Sequence, residues 1–198
     1  MKDHLPPQEA ARIALYGGSF DPLHHGHLVA ACDALEQFRL DAVILIPCRQ
    51  SPHKLRHRIS EGTHRYRMIR QAIRGLPGLY VSACELRRPP PSYSVDTARE
   101  MAQLYPKALL FWLLGTDQLP ELSLWKDYEE LARLVRFLAV PRPGFVERLK
   151  PSITLLPKPR FVDISSSEIR SRVRKSLPYA HLVPWPVARY IERHGLYR

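Results

Sequence analysis

Short apolar runs alternate with segments of helical periodicity along this chain, and this alternation limits the possible folds more than any other feature. The runs that read as strands are 12–16, 42–47, 79–83, 108–115 and 135–140, with a shorter one at 153–156. Between them apolar residues recur at helical spacing, as in Leu28, Ala31, Cys32 and Leu35. Strand and helix alternate about five times, which predicts an α/β fold: a doubly wound, Rossmann-like parallel sheet with right-handed crossovers.

The length predicts a single domain. The chain has 198 residues, of which 45% are apolar, and this is enough for one sizeable core. We expect the domain to span 12–198, with two helices at about 166–175 and 186–194 as a small C-terminal helical part. Residues 1–11 are expected to form a flexible N-terminal extension.

The charge balance is strongly basic, at +11, with 30 Lys and Arg against 19 acidic residues. This balance favours anionic partners, which include nucleotides, nucleic acid and membrane surfaces. No window approaches 18 apolar residues, which argues against a membrane-spanning helix. The three cysteines are odd in number and form no C-x-x-C pair, so we expect a reducing compartment, the cytoplasm.

The stretch GGSFDPLHHGH, residues 17–27, follows the first predicted strand. Ligands of open α/β sheets bind at the carboxyl ends of strands, where Gly17 and Gly18 would allow a sharp turn and a close approach. The helix that follows offers unpaired N–H groups and a positive dipole end to phosphate. His24 and His27 would share one helix face and donate to one phosphate, with Gly26 letting that phosphate come close.

Two plainer interpretations of this stretch stay open on these residues alone. The paired glycines are also typical of a simple turn. Asp21, His24 and His27 include the residue types that bind zinc, although no further ligand follows at a helical spacing. His25 would point elsewhere on the helix, into solvent.

The stretch resembles the G-G-[ST]-F-D-P-x-H-x-G-H motif of the nucleotidylyltransferase superfamily, and more closely that of the bacterial nicotinate mononucleotide adenylyltransferases. The resemblance runs in order from about Ile13 to Tyr197, and the segment 145–161 is the least similar part. It implies transfer of AMP from ATP to nicotinate mononucleotide, giving nicotinate adenine dinucleotide and pyrophosphate. The final segment, LVPWPVARYIERHGLY, also resembles the family's tail and is interpreted as packing.

A second motif, ISSSEIRSRVRK, occupies residues 164–175. Ser165 and Glu168 have the spacing of a capping box at a helix start. Arg170 lies near the positive end of that helix, where a cation is unfavourable unless an anion binds between them. The family's I-S-[ST]-[ST]-x-I-R motif holds the β- and γ-phosphates in this way, whereas the plainer interpretation is a capped basic surface helix.

Other matches follow the second and central strands. Residues 46–54, IPCRQSPHK, resemble a family loop whose basic residues, here His53 and Lys54, meet the triphosphate; alone, they would be a solvated basic loop. Gly115 and Asp117 match the family's G-x-D, and a carboxylate at a strand end can accept from ribose hydroxyls. Asp117 could equally cap a helix.

The remaining matches concern the pyridine nucleotide. Residues 91–97, PSYSVDT, resemble the family's S-Y-[ST]-x-x-T, and hydroxyl and N–H donors near a helix start suit a carboxylate, although ordinary capping explains them equally well. Trp125 would stack on the pyridine ring, while a tryptophan is more often part of a core. VPRPGF, residues 140–145, departs from the family's C-R-R-P-G-[FY] but keeps Arg142.

The resemblance therefore implies three overlapping sets of site residues. The catalytic set is His24, His27, Lys54 and Arg170. The ATP-binding set is Gly17, Gly18, Ser19, Phe20, His24, Gly26, His27, Gly115, Asp117, Ile164, Ser165, Ser166 and Arg170. The mononucleotide-binding set is Ser19, His53, Lys54, Tyr93, Ser94, Thr97, Trp125 and Arg142.

Mg²⁺ is expected to arrive with ATP, and no metal-binding residues are assigned. The partners are ATP and nicotinate mononucleotide, with no membrane and no nucleic acid, and self-association stays open. One alternative is phosphopantetheine adenylyltransferase, which shares the H-x-G-H and I-S-S motifs. The other is a basic nucleic-acid-binding module, which no RNA or DNA motif supports. The residues leave open the preference for nicotinate over nicotinamide.

Overall fold

A six-stranded sheet forms the centre of the computed structural model, which describes residues 1–50, 52, 59–142 and 153–198. The strands are β1 Arg12–Gly18, β2 Ala42–Pro47, β3 Leu79–Val81, β4 Leu109–Gly115, β5 Arg136–Val140 and β6 Ile153–Leu155. Their order is β3-β2-β1-β4-β5-β6, and every pairing between these strands is parallel. The predicted doubly wound, Rossmann-like α/β fold is confirmed.

Helices cover both faces of the sheet. Their bounds are α1 His25–Gln37, α2 Gly62–Ala72, α3 Cys84–Arg87, α4 Ser94–Leu104, α5 Tyr128–Leu134, α6 Ser166–Arg174 and α7 Trp185–His194. Two 3₁₀ segments, Thr116–Leu124 and Ala180–Leu182, follow β4 and precede α7. In the part of the chain that the structure describes, none of these helices has the length and apolar character needed to cross a bilayer.

Successive strand residues face opposite cores, because side chains alternate across a sheet. In β1, Ala14 and Tyr16 join the core under α1, α2, α6 and α7, whereas Ile13 and Leu15 join the core under α4 and α5. The central strands are buried on both faces, which explains their nearly continuous apolar sequences.

The strand order reverses between β1 and β4, the two central strands. At this point the connections leave the carboxyl ends of neighbouring strands in opposite directions and open a crevice between them. The glycines of the first motif end β1, and Gly115 ends β4. The fold therefore places the glycines of the first motif and the Gly115 match at one crevice.

Three local features differ from the sequence expectations. β1 runs through Gly17 and Gly18 in extended form, and the left-handed backbone falls at Phe20, with φ of 47°. The strand predicted over 79–83 ends at Val81, and Cys84 begins the short helix α3. The Ser82 amide still donates to the Leu45 carbonyl of β2 at 3.1 Å.

The N-terminal residues are anchored, in contrast to the flexible extension expected for 1–11. Asp3 accepts hydrogen bonds from the Ala83 amide at 2.6 Å and from the Arg87 guanidinium at 2.8 and 3.0 Å. His4 forms an antiparallel bridge with Val81, and the Tyr105 hydroxyl donates to the Pro6 carbonyl at 2.9 Å. The segment covers the edge of β3, which would otherwise expose unpaired backbone groups.

Candidate active site

Two adjoining pockets open at the carboxyl ends of β1 and β4, and they share Gly17, Gly18, Ser19, Asp117 and Gln118. The larger, about 810 Å³, is lined by both predicted helix starts, and we call it the histidine pocket. The smaller, about 500 Å³, is lined by Tyr93, Ser94, Trp112, Trp125 and Lys126 among others, and we call it the tryptophan pocket. Each has the volume of a small-molecule site, and the shared residues join the two into one cleft.

The start of α1 carries the two predicted histidines into the histidine pocket. His24 is the N-cap and His27 lies in the first turn, so their rings stack at 3.7 Å between centroids. The His27 ring also meets the edge of the buried Phe20 ring at 5.0 Å. His25, between them in sequence, is exposed, as expected.

The hydrogen bonds at this start define the form of each ring. The His24 amide donates to Nδ1 of His27 at 3.3 Å, and an accepting Nδ1 leaves the proton of a neutral imidazole on Nε2. Burial, together with the positive charges of Arg142 and His25, lowers the pKa of His24 from 6.5 to about 3. His24 is 2% exposed, and among the described residues its Nδ1 is buried without a hydrogen-bond partner. The His24 ring is therefore suited to act as a neutral group at pH 7.

Glycines at this end of β1 and α1 are required for space. A Cβ on Gly26 would lie 3.1 Å from His24 Nδ1 and 3.5 Å from the Val162 carbonyl oxygen. A Cβ on Gly17 would lie 2.9 Å from the Trp112 ring. The reason for the glycines is thus close packing of the pocket walls, and not the sharp turn expected from the sequence.

The start of α6 faces the start of α1 across the histidine pocket. The Ser165 side chain accepts from the Glu168 amide at 3.1 Å, which confirms half of the predicted capping box. Ser166 donates its hydroxyl to the Pro22 carbonyl at 2.9 Å, and Arg170 donates to the Asp21 carbonyl at 2.7 Å. Two side chains of α6 thus bind the loop before α1 directly, and the two helix starts form one cleft.

Residues at the ends of β4 and β5 complete the histidine pocket. Asp117 is exposed and lies 4.0 Å from the Arg142 guanidinium, and a Cβ on Gly115 would collide with its carboxylate. Arg142 was expected at the mononucleotide, but it lines the histidine pocket and not the tryptophan pocket. Ile164 lines the same wall.

The tryptophan pocket gathers most of the predicted pyridine-nucleotide residues. Trp125 is half-buried and meets Trp112 edge to face, with 6.2 Å between ring centroids. Tyr93 caps α4, and the ammonium of Lys126 lies 4.5 Å from the centre of its ring. Ser94 begins α4 and lines the same pocket, so that helix start adjoins this space.

Thr97 does not line either pocket. It is fully buried, donates to Glu85 at 2.6 Å and accepts from Arg88 at 2.5 Å. Burial raises the pKa of Glu85, and the hydrogen bond from Thr97 opposes that shift. The hydroxyl therefore fixes the loop before α4 from behind. His53 and Lys54 lie outside the described residues.

Sequence reasoning missed several residues that build the cleft. Arg65 is 1% exposed and donates to the carbonyls of Ser19 and Ser60, each at 2.8 Å. Its signal was available, because Arg65 occupies the buried face of α2 at helical spacing from Met68, Ile69 and Ala72. Arg160, Phe161 and Lys126 also line the pockets, without a motif to mark them.

In the part of the chain that the structure describes, no three His, Cys, Asp or Glu side chains are grouped to hold a metal ion. Asp21, the third zinc ligand considered above, has both carboxylate oxygens occupied by hydrogen bonds from Tyr197 and Ser60. The geometry instead offers N–H donors, imidazoles and guanidinium groups around an open cleft. Such an arrangement can bind a polyphosphate and stabilise charge that develops on it.

Comparison with known proteins also indicates a nucleotide-transferring enzyme. A family model described as cytidylyltransferase-like matches residues 15–172. The chain is 46% identical over 187 residues to a protein of Methylacidiphilum infernorum named "Probable nicotinate-nucleotide adenylyltransferase", covering 94% of this chain and 92% of that protein. A protein of the same name from Desulfitobacterium hafniense is 39% identical over 210 residues and the full length of both chains.

A solved structure has the same fold at lower sequence identity. It is titled "Plasmodium falciparum nicotinic acid mononucleotide adenylyltransferase complexed with NaAD", with a TM-score of 0.75 and 21% identity. The match covers 94% of this chain and 97% of that one.

Proposed function

The chain belongs to the cytidylyltransferase-like family, among the nicotinate-nucleotide adenylyltransferases, and from this premise we propose how its two pockets carry out the reaction. The reaction transfers AMP from ATP to nicotinate mononucleotide and gives nicotinate adenine dinucleotide and pyrophosphate. ATP would bind in the histidine pocket, the mononucleotide in the tryptophan pocket, and the reacting phosphates would meet at the shared Gly17, Gly18 and Ser19.

One observation carries this assignment: the starts of α1 and α6 are held together around one pocket, which continues into a second, aromatic one. The bonds from Ser166 and Arg170 to the loop before α1 fix the distance between the two helix starts. Because both starts present N–H donors and positive dipole ends, their common focus favours a polyphosphate over any single carboxylate or phosphate.

The chemistry would be an in-line displacement at the α-phosphorus of ATP. An oxygen of the mononucleotide's 5′-phosphate forms the new P–O bond, while the bond to pyrophosphate breaks. The attacking phosphate is already ionised near neutral pH, since its second pKa is about 6, so no general base is needed. Positioning and charge stabilisation then account for the rate.

The roles of the polar side chains follow from their places. The Nε2 proton of His27 would donate to the α-phosphate as charge develops there, and His24 would orient that ring by stacking. Arg170 and the amides at Ser165 and Ser166 would hold the leaving pyrophosphate, together with Lys54, whose role rests on its motif.

The tryptophan pocket would select the acceptor. Trp125 offers a face to the pyridine ring, and the start of α4 at Tyr93 and Ser94 offers N–H donors to its carboxylate. Thr97, bound to Glu85, would keep that start in place without touching the ligand. Asp117 would accept from a ribose hydroxyl, and Arg142, with its guanidinium 4.0 Å away, would act on the ATP side.

Mg²⁺ would enter with the triphosphate and neutralise part of its charge. The described residues fit such a nucleotide-bound ion better than a resident one, because Mg²⁺ keeps several waters and needs few protein ligands. We also place the reaction in the cytoplasm, because three cysteines without a C-x-x-C pair suit a reducing compartment.

The test is a parallel assay of pyrophosphate release from ATP and Mg²⁺ with nicotinate mononucleotide, nicotinamide mononucleotide or phosphopantetheine. We expect the nicotinate acceptor to give the highest kcat/KM. Higher kcat/KM with phosphopantetheine would reject the assignment of the tryptophan pocket. Absence of pyrophosphate with all three, together with strongly salt-dependent binding of an oligonucleotide, would favour the nucleic-acid alternative.

A further inference from the structure

The C-terminal segment places a hydroxyl group against Asp21, a residue that lines the histidine pocket. Tyr197, the residue before the last, donates from its hydroxyl to Oδ1 of Asp21 at 2.8 Å. Burial and the negative charge of Asp21 raise the pKa of Tyr197, so the phenol keeps its proton and remains a donor throughout the neutral range. The sequence motif at this end indicated packing alone.

Tyr197 reaches this position through two departures from helical geometry, which are separated by Leu196. Helix α7 ends at Gly195, which has φ of 58°, and Tyr197 itself has φ of 67°. A positive φ is unfavourable for a bulky residue, so tertiary contacts must hold the conformation. The hydrogen bond to Asp21, together with a side-chain contact to Ser60, supplies polar contacts for that purpose.

Asp21 connects three parts of the cleft. Its side chain is 1% exposed, and its second oxygen, Oδ2, accepts from the Ser60 amide at 3.2 Å. Its backbone carbonyl accepts from the Arg170 guanidinium at 2.7 Å. Ser60, α6 and the loop before α1 are therefore all connected through one buried residue.

A missing hydroxyl at residue 197 would disturb that connection. A buried carboxylate oxygen without a donor is unfavourable, so Asp21 would rotate or move toward water. Its peptide group would move with it, and the Arg170 guanidinium is bound to that peptide. The change would reach the phosphate-binding cation although Tyr197 itself does not line either pocket.

We propose that Tyr197 is a positioning residue for the transfer reaction, which holds the Asp21 carboxylate so that the Asp21 carbonyl sets Arg170 at the triphosphate. The role of Arg170 rests on the function proposed above. The predicted consequence is selective: the ATP side of the reaction depends on the Tyr197 hydroxyl, and the mononucleotide side does not.

The test compares Tyr197→Phe with a matched control, Tyr190→Phe. Tyr190 lies in the same C-terminal segment and is buried, and its hydroxyl bonds to His64 Nδ1 at 3.0 Å, away from the cleft. We expect Tyr197→Phe to lower kcat/KM for ATP about tenfold, the effect of one hydrogen bond to a charged group, with KM for nicotinate mononucleotide within twofold of wild type. Tyr190→Phe should keep both values within twofold, and thermal melting should show both variants folded.

A second comparison separates positioning from general loosening. In an Arg170→Ala background, the added Tyr197→Phe change should alter kcat/KM by less than twofold, because its effect passes through Arg170. A further tenfold loss there, or wild-type kinetics of Tyr197→Phe alone, would overturn the proposal. Equal losses of kcat/KM for ATP and for nicotinate mononucleotide would also overturn it.

The role of Tyr197 can still be tested if the proposed function fails. Should the wild-type protein release no pyrophosphate with any acceptor, titration calorimetry with ATP and Mg²⁺ measures the same effect as affinity. Tyr197→Phe should then weaken ATP binding about tenfold relative to Tyr190→Phe. Equal affinities of the two variants would reject the role of Tyr197, whatever reaction the protein performs.

Discussion

The starts of α1 and α6 face the same pocket but are built differently. At α1, His24 is buried, its pKa is lowered to about 3, and its ring stacks on that of His27. At α6, Ser165 is exposed and forms an ordinary serine cap, while Arg170 supplies a permanent positive charge. One start is neutral and tightly packed, and the other is charged and open to solvent.

This difference indicates a division of tasks in the cleft. A neutral imidazole held by packing offers one donor in a fixed direction, which suits a group whose charge develops only during the reaction. A guanidinium is charged before, during and after the reaction, so it suits a phosphate that is anionic throughout. The α1 start should therefore affect turnover most strongly, and the α6 start should affect binding and leaving-group departure.

The sharpest way to break this comparison is His27→Ala. Removal of one donor to a transition-state charge lowers kcat about 100-fold or more, and we expect that loss with ATP affinity little changed. Pyrophosphate release under saturating substrates measures it. The control is His25→Ala, an exposed histidine of the same helix start, which should stay within twofold of wild type. A folded His27→Ala protein with near-normal turnover would assign the donor elsewhere.

The second test is Arg170→Ala, which changes the α6 side of the cleft. Loss of the guanidinium should lower kcat/KM for ATP about 30-fold, in the range of a lost charged hydrogen bond, and should weaken inhibition by pyrophosphate. Arg174→Ala is the matched control, since Arg174 is exposed on the last turn of the same helix. If Arg170→Ala lowered kcat alone and left KM for ATP unchanged, the proposed division between the two starts would be wrong.

Local motifs and periodicity in the sequence were sufficient for the fold and for the existence of both helix starts. Short apolar runs predicted β1, β2, β4 and β5, and the Ser165-to-Glu168 spacing predicted the cap. What depends on tertiary packing was not predictable in this way. Thr97 carries a motif hydroxyl, but the fold turns it toward Glu85 and Arg88, and Arg142 lines the histidine pocket rather than the tryptophan pocket.

The anchored N-terminus illustrates the same limit. A polar segment such as residues 1–11 has no periodicity that marks it as ordered. Its order comes from Arg87 and the Ala83 amide, which bind Asp3 from more than 75 positions away in sequence. Likewise, Tyr197 and Asp21 are brought together from opposite ends of the chain.

The third test uses the pH dependence of stability to sharpen the contrast at α1. His24 has its pKa near 3 in the folded state and 6.5 as its ordinary value, so between these pH values the unfolded chain binds one more proton. The free energy of unfolding therefore falls as pH decreases below 6.5 and is flat above it, as far as this group is concerned. Between pH 7 and pH 5 the loss is about 2 kcal/mol.

Urea denaturation of the wild type and His24→Asn at both pH values isolates this contribution, because the variant lacks the titrating group. The wild type should lose about 2 kcal/mol more than the variant over this pH interval. Equal losses in the two proteins would mean that His24 is accessible to protons in the folded state. The buried, neutral character of the α1 start would then be incorrect.

The smallest effect is expected at the exposed cap of α6. Ser165→Ala removes the acceptor of the Glu168 amide, and loss of such a cap lowers the free energy of unfolding by about 1 kcal/mol. Since Ser166 and Arg170 still bind the loop before α1, the helix should stay in place and kcat should change less than threefold. Ser171→Ala, inside the same helix, is the control and should not destabilise the protein, because alanine is the better helix former. A loss of kcat comparable to that of His27→Ala would show that the two starts share the transition-state charge equally, and the contrast between a neutral, packed start and a charged, open one would then carry no functional meaning.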